Sequence, residues 1–598
     1  MSPTPALPVD PILPRMLEEG FLRDIDVQLV SALIRRYEEY PPEQVQLLLA
    51  LACRATDDGH VCLDLSADAI RDLPGRTPHP PTGTGGPTDS RALAATLAEW
   101  IPAAAIQLAG YPRLVGAGPG NVPFVLEGNR LYLRRFWNYE QHVADRLRAL
   151  AGETTGRRAE DFAGDLSRAN PPLAPRQIQA IHCALERRLA IVTGGPGTGK
   201  TFVAAYLMVL LAQRQPDIRI RMAGPTGKAA ARMADSVSQA LARWGFTLDM
   251  PPARTLEGLL GYRAGSPYFR HDRDRPLPAD VVIVDETSMI DLPKMAKLLD
   301  AIGPQTQLIL LGDKDQLASV EPGSVMAELC QARALDACIV TLTESQRFRP
   351  GSPVDELSRA VNAGDADAAW GQVIRADRGL SRHSSAGFSA TNPPSAFRQQ
   401  VQDGFREYLE AREPEAAFAA LSRFRVLCAL RRGPQGVESV NRAIEDRLFP
   451  RRNREFYDHR AILITRNDPE TGLNNGDVGV VLPDPGRGGE PAVFIEGRPA
   501  PLPCRLLPEH ETAFAMTIHK AQGSGFGKVV ILLPDRESPI LTRELLYTAI
   551  TRTESDLAIW CEEQAFKSAV AKPTKRHMGL KEKLDTPPHR QRECRASP

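Results

Sequence analysis

The sequence predicts an α/β protein in which two strand-and-helix halves follow a helical amino-terminal domain. Three observations carry that expectation. Between residues 173 and about 360, short aliphatic runs ("LAIVT", "IRIRMAG", "VVIVD", "LILLGD") are each followed by Gly or Asp and then by helical pattern. A second series, including "FRVLCAL", "RAILITRN", "GDVGVVL", "KVVILLP" and "LAIWC", repeats the alternation to about residue 565. Strands spaced by helices in this way make parallel sheets covered on both faces, and two such halves imply a cleft between them. The third observation is a Gly-rich loop after the first of these strands, in "LAIVTGGPGTGKTFVAAYLMVLL".

At 598 residues the chain exceeds what one core supports, so several domains are expected, and a hydrophobic fraction of 42% is enough to fold them. Residues 1–150 read as the helical domain: "DVQLVSALIRRYEEYPPEQVQLLLALACRATDD" has apolar residues at three- and four-residue spacing. The Pro- and Gly-rich stretch from Leu73 to Ser90 reads as a surface loop, and "VPFVLEGNRLYLRRFW" as a hairpin entering a helix. A polar run ending in "ANPPLAP" marks the boundary before the first α/β half, 173–360, which holds a small insertion near 250–278. The second half is 361–565, with "LSRHSSAGFSATNPPS" as an exposed loop. From Lys567 onward nine Lys or Arg stand against three Asp or Glu, so 566–598 reads as a basic flexible tail.

Composition excludes some classes and leaves others open. No run approaches 18 apolar residues and the start lacks a basic-then-apolar leader, so a cytoplasmic protein with no membrane partner is expected. Nine scattered cysteines without a CxxC argue against zinc sites and disulfide frameworks. Acidic and basic residues balance at 73 each, which neither favours nor excludes nucleic acid, since a channel can be basic locally.

The phosphate loop runs from Gly194 through Gly195, Pro196, Gly197, Thr198 and Gly199 to Lys200 and Thr201, between a strand and a helix. In that context backbone N–H groups cradle phosphates, Lys200 reaches the β and γ oxygens, and the Thr201 hydroxyl meets Mg²⁺; the expected cofactors are ATP and Mg²⁺. "VVIVDETSMID" ends a strand in adjacent acids, placing Asp285 to hold the metal shell and Glu286 to orient and deprotonate water. The next strand ends in "GDKDQ", where Gln316 is a γ-phosphate sensor candidate. Charge migrates during hydrolysis, and Arg347 and Arg552 are candidates to meet it.

Seven blocks in order, "GGPGTGKT", "AGPTGKAAARM", "VIVDETSMID", "LLGDKDQLASVEPG", "ESQRF", "TIHKAQGSGF" and "LLYTAITRT", resemble superfamily 1 DNA helicases of the RecD-like branch. The resemblance spans 173 to about 565, and "DDGHVCLDL" and "LYLRRFWNYEQHVADRL" extend it into the amino-terminal domain. It implies tandem RecA-like P-loop domains and a small β-barrel insertion near 472–510. It implies a 5′-to-3′ helicase beside RecB-like and RecC-like subunits, acting on single-stranded and duplex-end DNA at double-strand breaks, with the nuclease in a partner. The resemblance sets Gln177 against adenine and Gln316, Arg347 and Arg552 at the γ-phosphate. Pro225, Thr226 and Lys228 of "PTGKAA", with Thr517 and His519, would lie along single-stranded DNA, where hydroxyl, imidazole and ammonium groups grip without reading sequence.

Two positions depart from the pattern. Gly525 stands where many relatives carry a Glu that reaches the nucleotide ribose, which predicts weaker sugar discrimination or a looser nucleotide site, and Gln346 replaces an aromatic residue. Two further functional readings stand beside the heterotrimer: a free-standing RecD-like helicase and a catalytically silent scaffold.

Overall fold

The computed structural model describes residues 12–586 apart from 67–68, 70–99, 103, 168–171, 247–250, 264, 267, 346 and 376–378. The expected loop at Leu73–Ser90 and the substitution at Gln346 lie outside the described residues.

The amino-terminal domain is mixed rather than wholly helical. Helices Asp24–Tyr37 and Glu43–Asp57 pack around Val30, Ile34, Leu48 and Leu49. Beside them stands a sheet of β1 (Cys62–Asp64), β2 (Val115–Gly116), β3 (Phe124–Glu127) and β4 (Arg130–Leu133), in the order β1-β4-β3-β2. β3 and β4 are the anticipated hairpin, and they lead straight into helix Arg134–Ala151. That helix turns Phe136, Trp137, Val143 and Leu147 into the core of the first α/β half, against Leu292, Met295 and Leu299. The domain boundary is therefore a packed interface, reinforced by His142 Nε2 to Asp300 Oδ1 at 2.9 Å.

The first half is a six-stranded, all-parallel sheet. β5 (Leu189–Gly194), β6 (Ile220–Gly224), β7 (Arg254–Thr255), β8 (Val281–Val284), β9 (Gln307–Gly312) and β10 (Ile339–Leu342) take the order β10-β5-β9-β8-β6-β7. β5, β8 and β9 are buried along their whole length, as strands covered on both faces must be. Part of the insertion expected near 250–278 belongs to the sheet itself, since β7 pairs with β6 and Leu256, Leu259 and Leu260 enter the core.

The second half contains β11 (Leu380–His383) and β12 (Phe424–Cys428), then an inserted sheet of β13 (Ala461–Ile464), β14 (Val478–Asp484), β15 (Glu490–Ile495), β16 (Leu502–Pro503) and β17 (His510–Thr512). It closes with β18 (Ala515–Thr517), β19 (Phe526–Leu532) and β20 (Thr553–Trp560). The parallel order is β11-β20-β19-β12-β18. β11 lies inside the stretch expected to be an exposed loop: Phe388 just after it is buried edge-on to Trp560, and His383 stacks on the same indole.

The insertion differs from the expected barrel. Its antiparallel order β16-β15-β14-β13-β17 leaves β16 and β17 as edges, so the sheet is open, and it starts at Ala461 rather than near residue 472. β13 reads as a parallel-sheet strand because both of its faces are buried in different cores. Ala461 and Leu463 join the core of the second half, while Ile462 and Ile464 join the insertion's own core with Val481, Val493 and Ile495.

The tail is the other correction. Residues 572–586 are not a free basic tail; they cross back over the first half and the amino-terminal domain. Val61 N and Cys62 N donate to His577 O at 2.8 and 3.3 Å, and Gly579 N donates to Glu140 Oε1 at 2.7 Å. Met578, Leu580 and Leu584 are buried in the shared core. Lys583 joins the buried Glu140 at 3.0 Å and also Glu127. Residues 587–598 lie outside the described residues. Among the described residues no helix is long and apolar enough to cross a membrane, and the eight cysteines are all unpaired.

Candidate functional site: a cleft between the two α/β halves

Strand ends build the site. β5 delivers the phosphate loop, whose path requires glycine at two positions. Gly197 has φ 76 and its Cβ would lie 2.5 Å from that of Arg347; Gly199 has φ 88 and its Cβ would lie 2.5 Å from Gln177 Nε2. Helix Lys200–Arg214 then starts with free N–H groups at the loop, the anion-binding end of a helix. Lys200 Nζ is held by Gly194 O at 2.6 Å and Gly195 O at 3.0 Å, poised over the cradle. Gln177 braces the loop from below: its Nε2 donates to Thr198 O at 3.2 Å while its Oε1 accepts from Ala174 N at 3.0 Å. Both ends of that amide are thus engaged with backbone.

β8 and β9 supply the acids. Asp285 Oδ2 accepts from Thr201 Oγ1 at 3.2 Å, and Asp285 Oδ1 accepts from Glu286 N at 2.8 Å. Burial, then the neighbouring Glu286 carboxylate, push the Asp285 carboxyl up to about 6 against the pull of Lys200. Glu286 sits in the left-handed region at φ 51, a conformation that costs a non-glycine residue about 1–3 kcal/mol. Gln316 is buried, gives Nε2 to Asp313 Oδ2 at 3.1 Å, and leaves Oε1 buried without a partner among the described residues. An enclosed acceptor of this kind costs stability until something donates to it.

The second half closes over these groups. Arg552 is fully buried and held by Thr548 O and Ser524 O, each at 3.1 Å; burial lowers its guanidinium to about 10. Arg347 lies between the halves: its backbone N donates to Ser345 Oγ, which donates to Pro196 O of the phosphate loop, and its Nη1 donates to Thr551 O at 3.0 Å. The halves also interlock through Tyr547 Oη to Asp313 Oδ2 at 3.2 Å, Leu317 N to Thr548 Oγ1 at 2.9 Å and Gln522 Nε2 to Leu317 O at 2.7 Å. The open cleft between them, about 590 Å³, is lined by Gln177, Lys200, Asp285, Glu286, Arg347 and Arg552, and also reaches Gln316. One cavity therefore gathers the candidate nucleotide residues from both halves.

The candidate DNA residues meet different surroundings. Pro225 and Thr226 follow β6, and Thr226 Oγ1 caps helix Gly227–Arg243 by accepting from Ala229 N at 3.1 Å. The Lys228 ammonium stands 5.8 Å from the Phe526 ring, and burial pushes it down to about 8 although Glu496 of the insertion opposes this. Thr517 Oγ1 accepts from Lys520 N at 3.2 Å, so it stabilises the turn after β18. His519 faces Arg576 of the carboxy-terminal segment, and burial first, then that cation, lower its imidazole.

Reading the sequence did not single out Arg232, Tyr547, Thr548 or Glu554, which the structure brings to the junction. Arg232 Nη1 donates to Gly523 O across the cleft. Its place one helical turn after "TGK" was the only available signal.

Residues 18–132 match the RecBCD enzyme subunit RecD, N-terminal domain; residues 177–322 match an AAA domain; and residues 512–559 match the UvrD-like helicase C-terminal domain. The RecBCD enzyme subunit RecD of Mycolicibacterium smegmatis is 36% identical over 593 residues, covering 94% of this chain and 97% of that one. The chain belongs to the RecD family. An ATP-dependent RecD2 DNA helicase of Deinococcus radiodurans is 29% identical over 431 residues, covering 71% of this chain but 54% of its own length. A Pif1 helicase from Bacteroides, solved with ADP-AlF3 and ssDNA, covers 67% of this chain and 95% of that one at 18% identity and a TM-score of 0.38. As a RecD-family member with AAA and UvrD-like helicase domains, the chain is an ATP-dependent DNA helicase subunit of DNA repair.

Proposed function

We propose that this RecD chain is the 5′-to-3′ motor of a heterotrimeric helicase-nuclease, working with RecB-like and RecC-like subunits on DNA ends in the cytoplasm. The observation that carries the motor reading is that Arg347 and Arg552 reach one cavity with Lys200, Asp285 and Glu286 although they come from different parts of the chain. Binding of ATP there would draw the halves together, and loss of the γ-phosphate would release them. The heterotrimer reading is supported by the near-complete length match to a RecBCD subunit; the RecD2 helicase is matched over only about half of its length.

In this mechanism Lys200 and the phosphate-loop N–H groups hold the β and γ phosphates. Glu286 takes the proton of the attacking water, Gln316 Oε1 accepts from that water, and Arg347 and Arg552 meet the charge that grows on the γ-phosphoryl oxygens. Thr201 and Asp285 would hold Mg²⁺, which neutralises phosphate charge when bound. The donor set fits: a hydroxyl and a buried carboxylate 3.2 Å apart suit an ion whose other ligands are phosphate oxygens and water. Gln177 serves the site by bracing Thr198 and facing the base.

Pro225, Thr226 and Lys228 on one half and Thr517 and His519 on the other form two grips on a single strand, whose spacing changes as the cleft closes. Lys228→Ala is expected to weaken single-strand binding and to reduce the slope of log affinity against log salt by about 0.7, the signature of one lost phosphate contact on a single strand. An unchanged slope in a salt titration removes Lys228 from the DNA path.

The function is tested by co-purifying the chain with RecB-like and RecC-like partners and measuring unwinding of duplexes with 5′ or 3′ tails, using wild type and Lys200→Gln. Lys200-dependent unwinding from 5′ tails is expected. Unwinding from 3′ tails that needs Lys200 sinks the polarity, and full activity of the isolated chain favours a free-standing helicase.

A further inference from the structure

Gly525 and Glu554 occupy one space. A Cβ built on Gly525 would lie 2.6 Å from Glu554 Oε1 and 3.5 Å from Arg347 Nη2. The backbone at Gly525 is not left-handed, so the turn itself does not demand glycine there. What the missing side chain permits is the entry of a carboxylate from the adjoining strand: β19 and β20 pair Phe526 with Thr553, which sets Gly525 and Glu554 at neighbouring strand ends.

That carboxylate meets a concentration of positive charge. Arg347, Arg552 and Arg232 lie close enough to repel one another, and burial removes much of the water that would screen them. Glu286 attracts both Arg347 and Arg552 from the first half, while Glu554 is the stronger attraction on Arg347. Arg347 Nη2 stands 4.0 Å from Glu554 Oε1 while its Nη1 is tied to Thr551 O. The guanidinium is therefore hydrogen-bonded through Nη1 and within ion-pair reach through Nη2 of the strand end that carries Arg552.

We infer that Glu554 is a positioning residue of the ATPase: it enters through the space left at Gly525 and aims Arg347 at the nucleotide phosphates. The loose nucleotide site expected from Gly525 is thus closed from a second strand. Glu554 keeps half of its side chain in solvent, so its carboxylate can follow Arg347 as the cleft opens and closes. The inference rests on the cleft being an ATPase site, and the test separates the two.

The experiment compares DNA-stimulated ATP hydrolysis by the assembled complex carrying wild type, Glu554→Ala, Glu554→Gln, Gly525→Glu, and Gly525→Glu with Glu554→Ala. Loss of the carboxylate that pairs with Arg347 predicts that Glu554→Ala and Glu554→Gln each lower kcat about tenfold with little change in KM. Gly525→Glu alone forces two carboxylates into one space and is expected to fall at least as far. The double variant returns one carboxylate to that space and is expected within about threefold of wild type, since only one carboxylate then serves Arg347. A merely structural Glu554 would not be rescued from position 525. Wild-type kcat in both single Glu554 variants, or a double variant no better than Glu554→Ala, overturns the inference. A wild-type complex without Lys200-dependent hydrolysis overturns the ATPase reading itself, and is recognised before any variant is compared.

Discussion

Lys583→Met is expected to destabilise the folded chain by about 3–5 kcal/mol, the cost of leaving a buried charge without its partner. Glu140 has no solvent exposure and Lys583 Nζ lies 3.0 Å from its Oε2. The same ammonium reaches Glu127 and stands 4.7 Å from the Tyr132 ring and 5.3 Å from the Trp137 ring, so methionine keeps the packing of the stem and removes only the charge. Burial pushes the Glu140 carboxyl up, while Lys583 and the Gly579 N–H pull it back. Without Lys583 the folded-state value rises further above the unfolded value of about 4.3. A carboxyl raised in the folded state costs nothing below its unfolded value, where both states are protonated, and costs progressively more as pH climbs toward the folded value. The deficit of the variant against wild type should therefore be small near pH 4 and full at neutral pH. Urea unfolding at the two pH values measures it, and Glu140→Gln in the same chain should recover much of the loss. Equal deficits at both pH values would show that lost packing, not the orphaned carboxylate, is responsible.

That ion pair also shows what the sequence could and could not disclose. Lys583 and Glu140 are separated by 443 positions, and nothing local distinguishes Lys583 from the other basic residues after Lys567. A charge count sees solvated tail; only the tertiary neighbourhood turns one of those charges inward. The phosphate loop is the opposite case. Its glycines, lysine and threonine are dictated by backbone geometry and phosphate chemistry within eight consecutive residues, so Gly194 to Thr201 are readable without any fold. The parallel strands were legible for a related reason: burial on both faces makes them continuous aliphatic runs. The same rule misled at β13, whose alternate residues fill two different cores and so imitate a parallel strand. Thr517 was legible as a polar residue at a strand end, but its hydroxyl is engaged in a turn, a contact that type and spacing do not reveal. Glu554 escaped notice because its role depends on what is missing at Gly525, one strand away.

Glu286→Gln is expected to lower kcat for ATP hydrolysis by about 10²–10⁴ while leaving nucleotide binding near that of wild type. Glutamine preserves length and volume but cannot accept a proton, and it has the same steric difficulty at φ 51, so the backbone of the site is disturbed equally little in both proteins. The left-handed backbone is maintained by its surroundings: Asp285 Oδ1 accepts from Glu286 N, and Met289 N donates to Glu286 O at 3.0 Å as the following turn begins. The strained backbone thus fixes where this carboxylate stands on the cavity wall, at a cost in stability. Lys200→Gln should differ in kind. On the proposed mechanism it removes the cation assigned to the phosphates, so binding and turnover should fall together, whereas Glu286→Gln should yield a complex that binds ATP, closes and stalls. Nucleotide affinity measured beside single-turnover hydrolysis separates the two. Full single-turnover rates in Glu286→Gln would move the base elsewhere, and Asp313, buried beside Gln316 with its carboxyl pushed up by burial, would be the carboxylate to replace next.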